Sequence, residues 1–420
     1  MTVVLDRPYE FVPPHRGNWW PSAIQRFRLV DRYLRRSEGV VDYECRGLHH
    51  FQEAVDKGDG ILLAPNHCRY ADPLVLGWPA RAVNTHLYAM ASWHLFNVKA
   101  FDTFAIRRMG AFSVYREAAD RQSLSTAIQI LTDAERPLVI FPEGTTNRTN
   151  DVLKPLLDGV TFISRTASRR RKKEQGGRVV MIPIAIKYLC VGDIGPWADQ
   201  QLHRIEDRLG WLKPLDQGIW ERTVRLAEAL LSLKEVQYFR EVKCGDLPAR
   251  RDELIGFLLQ EIESRLEISS PTDSAEDDTM RERLRRIRTK VAARYFADDA
   301  SSEEKTRLKY DIAAAELAQD LRSYPDCYLH PDEVTDTRIV ETIQRMQETF
   351  FGEADATVPL KAVIQFDEPI EVPAEKAPKG RSDPLLDQLK ERLETMLGLL
   401  STESRPLDVH YSERQDEAIA

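Results

Sequence analysis

The apolar run ILLAP at 61–65 is too short for a helix and suits a buried strand; LVIFP at 138–142 and VVMIPIAIKY at 179–188 repeat the pattern. Around these runs lie helix-length segments near 49–57, 123–134 and 155–168, with weaker apolar stretches at 85–91 (THLYAMA) and 110–116 (GAFSVYR). Strands separated by helices of this length imply βαβ units and a largely parallel sheet flanked by helices. After Gly192 the character changes: segments near 199–210, 218–240, 250–267, 278–296, 302–323 and 332–351 all have helical periodicity. Strand character then returns in LKAVIQFDEPIEVP at 360–373, followed by an amphipathic helix at 384–400. The α/β fold is therefore expected to carry a large all-helical insertion before its last strand.

A chain of 420 residues exceeds most single cores, which fits that division. The expected units are an N-terminal segment with an amphipathic basic helix (1–45), an α/β core (46–195) and the helical insertion (196–357). A final strand and helix complete the core (358–402), and a polar tail ends the chain (403–420). With 42% hydrophobic and 30% charged residues the balance is that of a globular protein. No stretch approaches the roughly 18 apolar residues needed to cross a bilayer. The start lacks the basic region and apolar run of a secretory signal, so the chain reads as cytosolic. Five cysteines without a CxxC pair read as reduced packing residues and offer neither a disulfide framework nor a zinc site.

The net charge of −8 conceals basic runs. PSAIQRFRLVDRYLRR at 21–36 has near-helical apolar spacing among five arginines, and reads either as an interfacial membrane helix or as a packed helix with a solvated basic face. RTASRRRKK at 165–173 is either a headgroup-attracting patch or a solvated loop. In 280–295, Met280, Leu284, Ile287, Val291 and Tyr295 share one helical face and seven basic residues fill the others. Membrane or nucleic acid contact and a structural helix docked on acidic neighbours are both open for it.

The chemistry-bearing residues cluster at segment ends. His67 follows the first strand run, where ligands bind in open α/β sheets, and Asp72-Pro73 reads as an N-cap with proline at the first helical position. A histidine there can take a proton from a hydroxyl while a carboxylate fixes its tautomer, although the pair alone also fits a surface histidine beside a capping aspartate. In FPEGT at 141–145, Glu143 precedes a glycine and two threonines that could face an anion, or simply form a tight turn. Arg116 ends GAFSVYR as a permanent cation suited to phosphate or to solvent.

Taken in order, NHCRYAD, GAFSVYR, FPEGT and VVMIPIAIKY resemble the blocks of the glycerolipid acyltransferase family, whose members include lysophosphatidate acyltransferase-like enzymes. The resemblance spans about 61–190. It implies transfer of an acyl group from a thioester, on coenzyme A or acyl carrier protein, to a hydroxyl of a glycerolipid or lysolipid, with 1-acylglycerol 3-phosphate the first acceptor to consider. It also implies His67 as general base and Asp72 as its partner. Asn66, Arg116, Glu143, Gly144, Thr145 and Arg148 would bind substrate, and Pro183 lies in the block linked to donor positioning. The arginine that family members carry after FPEGT is Thr146 here, with Arg148 two residues later. No metal or cofactor beyond the acyl-donor substrate is expected. The expected partners are membrane surface lipids and the acyl carrier, not nucleic acid, with the protein peripheral on the cytoplasmic membrane face. Another acceptor (glycerol 3-phosphate, a lysophospholipid or an amino lipid) and an inactive lipid-binding scaffold are the competing readings.

Overall fold

The computed structural model describes residues 7–97, 100–117, 120–214, 217–268, 276–375 and 382–409. The chain opens with helices α1 (Trp19–Arg26) and α2 (Leu29–Ser37), strand β1 (Val40–Arg46), α3 (Leu48–Asp56) and β2 (Gly60–Pro65). Short helices α4 (Asp72–Val75) and α5 (Gly77–Ala82) lead to β3 (Tyr88–Ser92), α6 (Ala100–Arg108), β4 (Ala111–Val114), α7 (Arg121–Asp133) and β5 (Leu138–Val139). Then come α8 (Gly159–Glu174), β6 (Val179–Cys190) and six successive helices: α9 (Gly195–Arg208), α10 (Ile219–Phe239), α11 (Leu247–Arg265), α12 (Glu276–Tyr295), α13 (Ser302–Arg322) and α14 (Asp336–Phe351). Strands β7 (Leu360–Phe366) and β8 (Ile370–Glu371) and helix α15 (Pro384–Ser401) follow.

The described strands form one sheet in the order β1-β7-β6-β2-β5-β3-β4, with β8 beside the start of β6. Strands β6, β2, β5, β3 and β4 run parallel, while β7 and β8 lie antiparallel to β6 and β1 runs parallel to β7. The fold is thus α/β with a mostly parallel sheet and helices inserted before its last strands. Alternate residues along each strand serve opposite faces. Ile61, Leu63, Ile182, Ile184 and Ile364 pack with α3, α9 and α14, whereas Leu62, Ala64, Met181 and Ala185 pack with α7, α8 and α15.

The six-helix stretch divides by packing. Ala198, Leu202 and Ile205 of α9 and Ile339, Val340, Ile343 and Met346 of α14 lie in the same cluster as the sheet. Leu254, Leu258, Leu284, Ile287, Val291, Ile312 and Ala315 of α11, α12 and α13 make a separate cluster. The apolar stripe expected on 280–295 is therefore spent on neighbouring helices.

Local geometry departs from expectation in two places. The helix expected over 21–36 is broken, because Arg28 takes a left-handed conformation (φ 49°) between α1 and α2. Asp72 is the first residue of α4 instead of its cap, which is Ala71, and its carboxylate is used elsewhere. The basic run at 165–173 is helical, with Arg165 and Arg171 buried and Arg169, Arg170, Lys172 and Lys173 exposed. Arg165 pairs with Asp383 at 2.6 Å, and Arg171 donates to the carbonyls of Thr132 and Gly58 at 2.7 Å each. Among the described residues no helix is long and apolar enough to cross a membrane.

Candidate active site

Because β2, β5, β3 and β4 are parallel neighbours, the segments leaving their C-terminal ends emerge along one edge of the sheet, where α/β folds bind ligands. His67 follows β2, Phe141 and Glu143 follow β5, His94 follows β3 and Arg116 follows β4. All five residues line one cavity of about 1320 Å³.

His67 is held on every side. Its Nδ1 lies 2.8 Å from Asp72 Oδ2, and its ring stacks on Phe141 with centroids 4.0 Å apart. Asp72 Oδ2 also accepts the Arg69 N–H at 2.9 Å, and Oδ1 accepts the Tyr188 hydroxyl at 2.7 Å. With the carboxylate as acceptor, Nδ1 carries the proton and Nε2 keeps a lone pair. The Thr146 hydroxyl donates to that Nε2 at 3.0 Å.

Glu143 fastens the two strand ends together. Its Oε1 accepts the His67 backbone N–H at 2.6 Å, and its Oε2 accepts the Asn147 amide and the Lys154 backbone N–H at 2.9 Å each. The Asn147 N–H returns to the His67 carbonyl at 2.7 Å. Gly144 takes φ +71° in the turn, and a side chain there would run into Leu157. Burial raises the Glu143 carboxyl to about 7, against the pull of its three N–H donors. A carboxyl raised above its unfolded value of 4.5 leaves the fold binding extra protons between those two values, so its stabilising effect is full at low pH and is lost as pH rises through about 7. Relative to Glu143→Gln, wild type is expected to lose on the order of 2–3 kcal/mol of unfolding free energy between about pH 4 and pH 8. Denaturant titrations of both proteins at the two pH values check this, and a pH-independent difference between them would refute it.

Two buried asparagines extend the β2 edge past its end. Asn66 accepts the Ile186 N–H at 2.7 Å and donates to the Ile186 carbonyl at 3.0 Å. Asn150 does the same for Tyr188, at 2.9 and 2.5 Å. Each amide satisfies strand groups that no further β2 residue reaches. Thus Asn66 faces β6 and does not line the cavity. Pro183 sits inside β6, between its partners β8 and β7, where the gap in the ladder calls for no N–H; it too lies outside the cavity lining.

Of the other residues singled out by sequence, Glu143, Gly144, Thr145 and Arg116 line the cavity with His67, and Asp72 stands behind the imidazole. Arg148 lies apart from them. It takes φ 66°, pairs with Glu348 of α14 and stacks over Tyr70 at 5.1 Å. Thr146, one of the two threonines noted after Glu143, meets Nε2. Two cavity residues had no sequence signal of their own: burial, with help from Arg116, lowers His94 to about 4, and burial lowers Lys154 to about 8.

Residues 45–187, which hold His67, Asp72, Arg116, Glu143 and Thr146, match the family described as Acyltransferase. This stretch is thus an acyltransferase domain by that match. The acyltransferase domain is also similar to the 1-acyl-sn-glycerol-3-phosphate acyltransferase of Streptococcus pneumoniae (strain ATCC BAA-255 / R6), at 25% identity over 134 residues. That match covers 31% of this chain and 49% of the relative, so the chain spans about half the length of the curated relative it matches. The family match ends at Lys187, so helices α9 to α14 lie outside the acyltransferase domain as matched.

Proposed function

We propose that this protein transfers a fatty acyl group from a thioester, on coenzyme A or acyl carrier protein, to a hydroxyl of a glycerolipid or lysolipid, with 1-acylglycerol 3-phosphate as the acceptor. The observation that carries this reading is the line Asp72, His67, Thr146, which ends on Nε2 at the cavity wall. The Thr146 hydroxyl occupies the position an acceptor hydroxyl needs, so Nε2 is within reach of an oxygen arriving from the cavity. In the reaction, Nε2 takes the acceptor proton as the oxygen bonds to the thioester carbonyl carbon. The C–S bond then breaks, and the departing sulfur receives the proton from the imidazole. The Asp72 carboxylate keeps the tautomer correct and favours the transient imidazolium.

Cavity size supports a two-substrate reaction. About 1320 Å³ exceeds the roughly 300–1000 Å³ of a pocket for one drug-sized ligand. Leu74, Leu87, Met90, Ile106, Leu153 and Ile163 supply apolar lining suited to an acyl chain. The rim includes Trp20, Ile24, Leu29 and Tyr33 of α1 and α2, helices that also expose Trp19 (69%) and carry Arg26, Arg32, Arg35 and Arg36. An exposed aromatic and apolar edge among arginines suits an anionic membrane surface, so we place the protein peripherally on the cytoplasmic membrane face.

Purified protein given acyl-CoA or acyl carrier protein donors against a panel of lysophosphatidate, glycerol 3-phosphate, lysophospholipid and amino-lipid acceptors is expected to form a new ester, identified by mass. Binding of lipids without product from any pair would instead support a non-catalytic lipid-binding role.

A further inference from the structure

Where the blocks this chain resembles carry an arginine, the chain places a hydroxyl on the free nitrogen of its histidine. Thr146 is 5% exposed, lines the cavity and sets Oγ1 3.0 Å from His67 Nε2, while Asp72 holds Nδ1 at 2.8 Å. A hydroxyl, an imidazole and a carboxylate in that order, each within hydrogen-bond reach of the next, form the arrangement that turns a weak alcohol into a nucleophile. Direct transfer to a bound acceptor gives this hydroxyl no task beyond marking where the acceptor oxygen sits.

The closeness of Oγ1 to Nε2 is built into the loop. Glu143, ahead of Thr146 in the turn, accepts the His67 N–H at 2.6 Å, and Asn147, directly after it, donates its N–H to the His67 carbonyl at 2.7 Å. Both backbone groups of the histidine are thus tied to the segment that carries the threonine. The Asn147 amide pins that segment again, donating to Glu143 Oε2 at 2.9 Å and to the Val152 carbonyl at 2.6 Å, and its oxygen accepts the Thr149 N–H at 2.8 Å. A β-branched side chain on a backbone fixed this way has few rotamers open to it. Helix α12 adds Met280, Arg281, Arg285 and Arg288 to the cavity lining, and it is tied down where the Arg281 guanidinium donates to the Pro155 carbonyl and the Thr289 hydroxyl to the Glu117 carbonyl. The cavity has walls from both the domain and the inserted helices, so it can hold the acyl group of a bound donor beside Thr146 with no acceptor present.

We propose that Thr146 is an acyl acceptor in its own right: with a thioester donor bound and no acceptor in place, its Oγ1 takes the acyl group and the protein carries an acyl-threonine ester. The inference rests on the acyl-transfer reading and adds a second route to it. Nε2 takes the Thr146 proton as Oγ1 bonds to the thioester carbonyl carbon; the C–S bond then breaks, and the departing sulfur receives that proton from the imidazole. The products are the ester and the free thiol, and no other reactant is consumed. Nε2 has its lone pair back, so it can next take a proton from an acceptor alcohol or from water. The incoming oxygen bonds to the ester carbon, the bond to Oγ1 breaks, and the proton returns to Oγ1. An alcohol gives the same product as direct transfer, whereas water gives a further activity, hydrolysis of the thioester.

Wild type, Thr146→Ser, Thr146→Val and His67→Ala are each mixed with a medium-chain acyl-CoA, and separately with the matching acyl carrier protein thioester, in the absence of any acceptor; Thr146→Ala serves if the valine variant does not fold. Free thiol is followed from the first turnover, and acid-quenched protein is weighed intact and mapped by peptide. Wild type should release an early burst approaching about one thiol per chain and gain the mass of an acyl group at Thr146. Where water clears the ester faster than it forms, no adduct accumulates, and the steady release of thiol still depends on the hydroxyl. Thr146→Ser should keep that release, and Thr146→Val and His67→Ala should lose it by about 10²-fold or more. A hydroxyl that only occupies Nε2 predicts the opposite sign: valine opens the nitrogen to water, and release stays level or rises. That result, or an acyl group mapped to another residue, overturns the proposal. Wild type that releases no thiol from donor alone, yet forms ester with an acceptor, also overturns it and leaves direct transfer standing. An acyl-Thr146 that no acceptor discharges into a new ester sinks the acyl-transfer reading and keeps the role of the threonine.

Discussion

Replacing His67 by alanine is expected to lower acyl transfer by roughly 10²- to 10⁴-fold while the protein remains folded. The imidazole lines the cavity and sits outside both hydrophobic clusters that sandwich the sheet. Its loss removes a stack on Phe141, an effect on the order of 1 kcal/mol, and leaves the Glu143 bridge to the His67 backbone N–H intact. What disappears is the group whose Nε2 reaches a cavity oxygen and whose Nδ1 is locked by Asp72. Initial rates at saturating donor and acceptor, with thermal unfolding of the same preparations, separate the chemical loss from instability. Turnover within a few-fold of wild type would remove His67 from the mechanism. Asp72→Asn should fall in the same direction, because an amide can donate to Nδ1 and so favour the wrong tautomer. That change also leaves the Tyr188 hydroxyl with an altered partner, so His67→Ala is the cleaner measurement.

The strands that matter most to the site were legible because they are extreme. Buried parallel strands must be apolar on both faces, and β2 and β6 are runs of such residues whose ends define the site edge. His67, Asp72 and Glu143 were legible as residues at those ends, in the order of a recognisable set of blocks. Periodicity, however, registers burial and not hydrogen-bond partners. Nothing in the spacing distinguishes an asparagine aimed at a ligand from Asn66 clamped on Ile186, or an arginine in the site from Arg148 turned to Glu348, 200 residues away. The break at Arg28 was likewise hidden, since the helical pattern on either side of it runs on unaltered. Long-range docking was the largest omission. The arginines of α12 read as the outer face of an amphipathic helix, and only the contacts to Pro155 and Glu117 bring them to the cavity.

Lys187 illustrates the same blindness within a strand, and it leads to the largest expected effect on stability. In the otherwise apolar run of β6 a lysine resembles a strand end about to meet solvent, yet its side chain is 0% exposed. Its ammonium pairs with Asp151, whose second oxygen accepts Arg338 Nε of α14 at 2.9 Å. Burial opposes the charge on Asp151, but Lys187 and Arg338 reverse that effect and hold the carboxyl below its usual range. Removing the acid leaves a buried ammonium without the carboxylate it is hydrogen-bonded to, the situation that costs most among buried ion pairs. Asp151→Ala is therefore expected to destabilise the fold by about 3–5 kcal/mol. Lys187→Met should cost clearly less, because Arg338 still neutralises Asp151 and the methionine fills an apolar site. The asymmetry is the sharper part of the prediction: if a generic packing defect were responsible, the two substitutions would cost similar amounts. Urea unfolding of both variants near neutral pH measures it, and a loss below about 1 kcal/mol for Asp151→Ala would show the pair to be unimportant. Because the Asp151 carboxyl is depressed, its contribution is present above the ordinary carboxylate range and is lost as pH falls through the folded value, so the gap between wild type and Asp151→Ala should narrow in acid. The neighbouring residue gives this a functional edge. Asn150 holds the Tyr188 backbone, its own N–H donates to Glu341 of α14 at 3.2 Å, and the Tyr188 hydroxyl supports Asp72. Loosening α14 at Asp151 should therefore reach His67 through Tyr188, and Asp151→Ala should lose activity at temperatures where it is still folded.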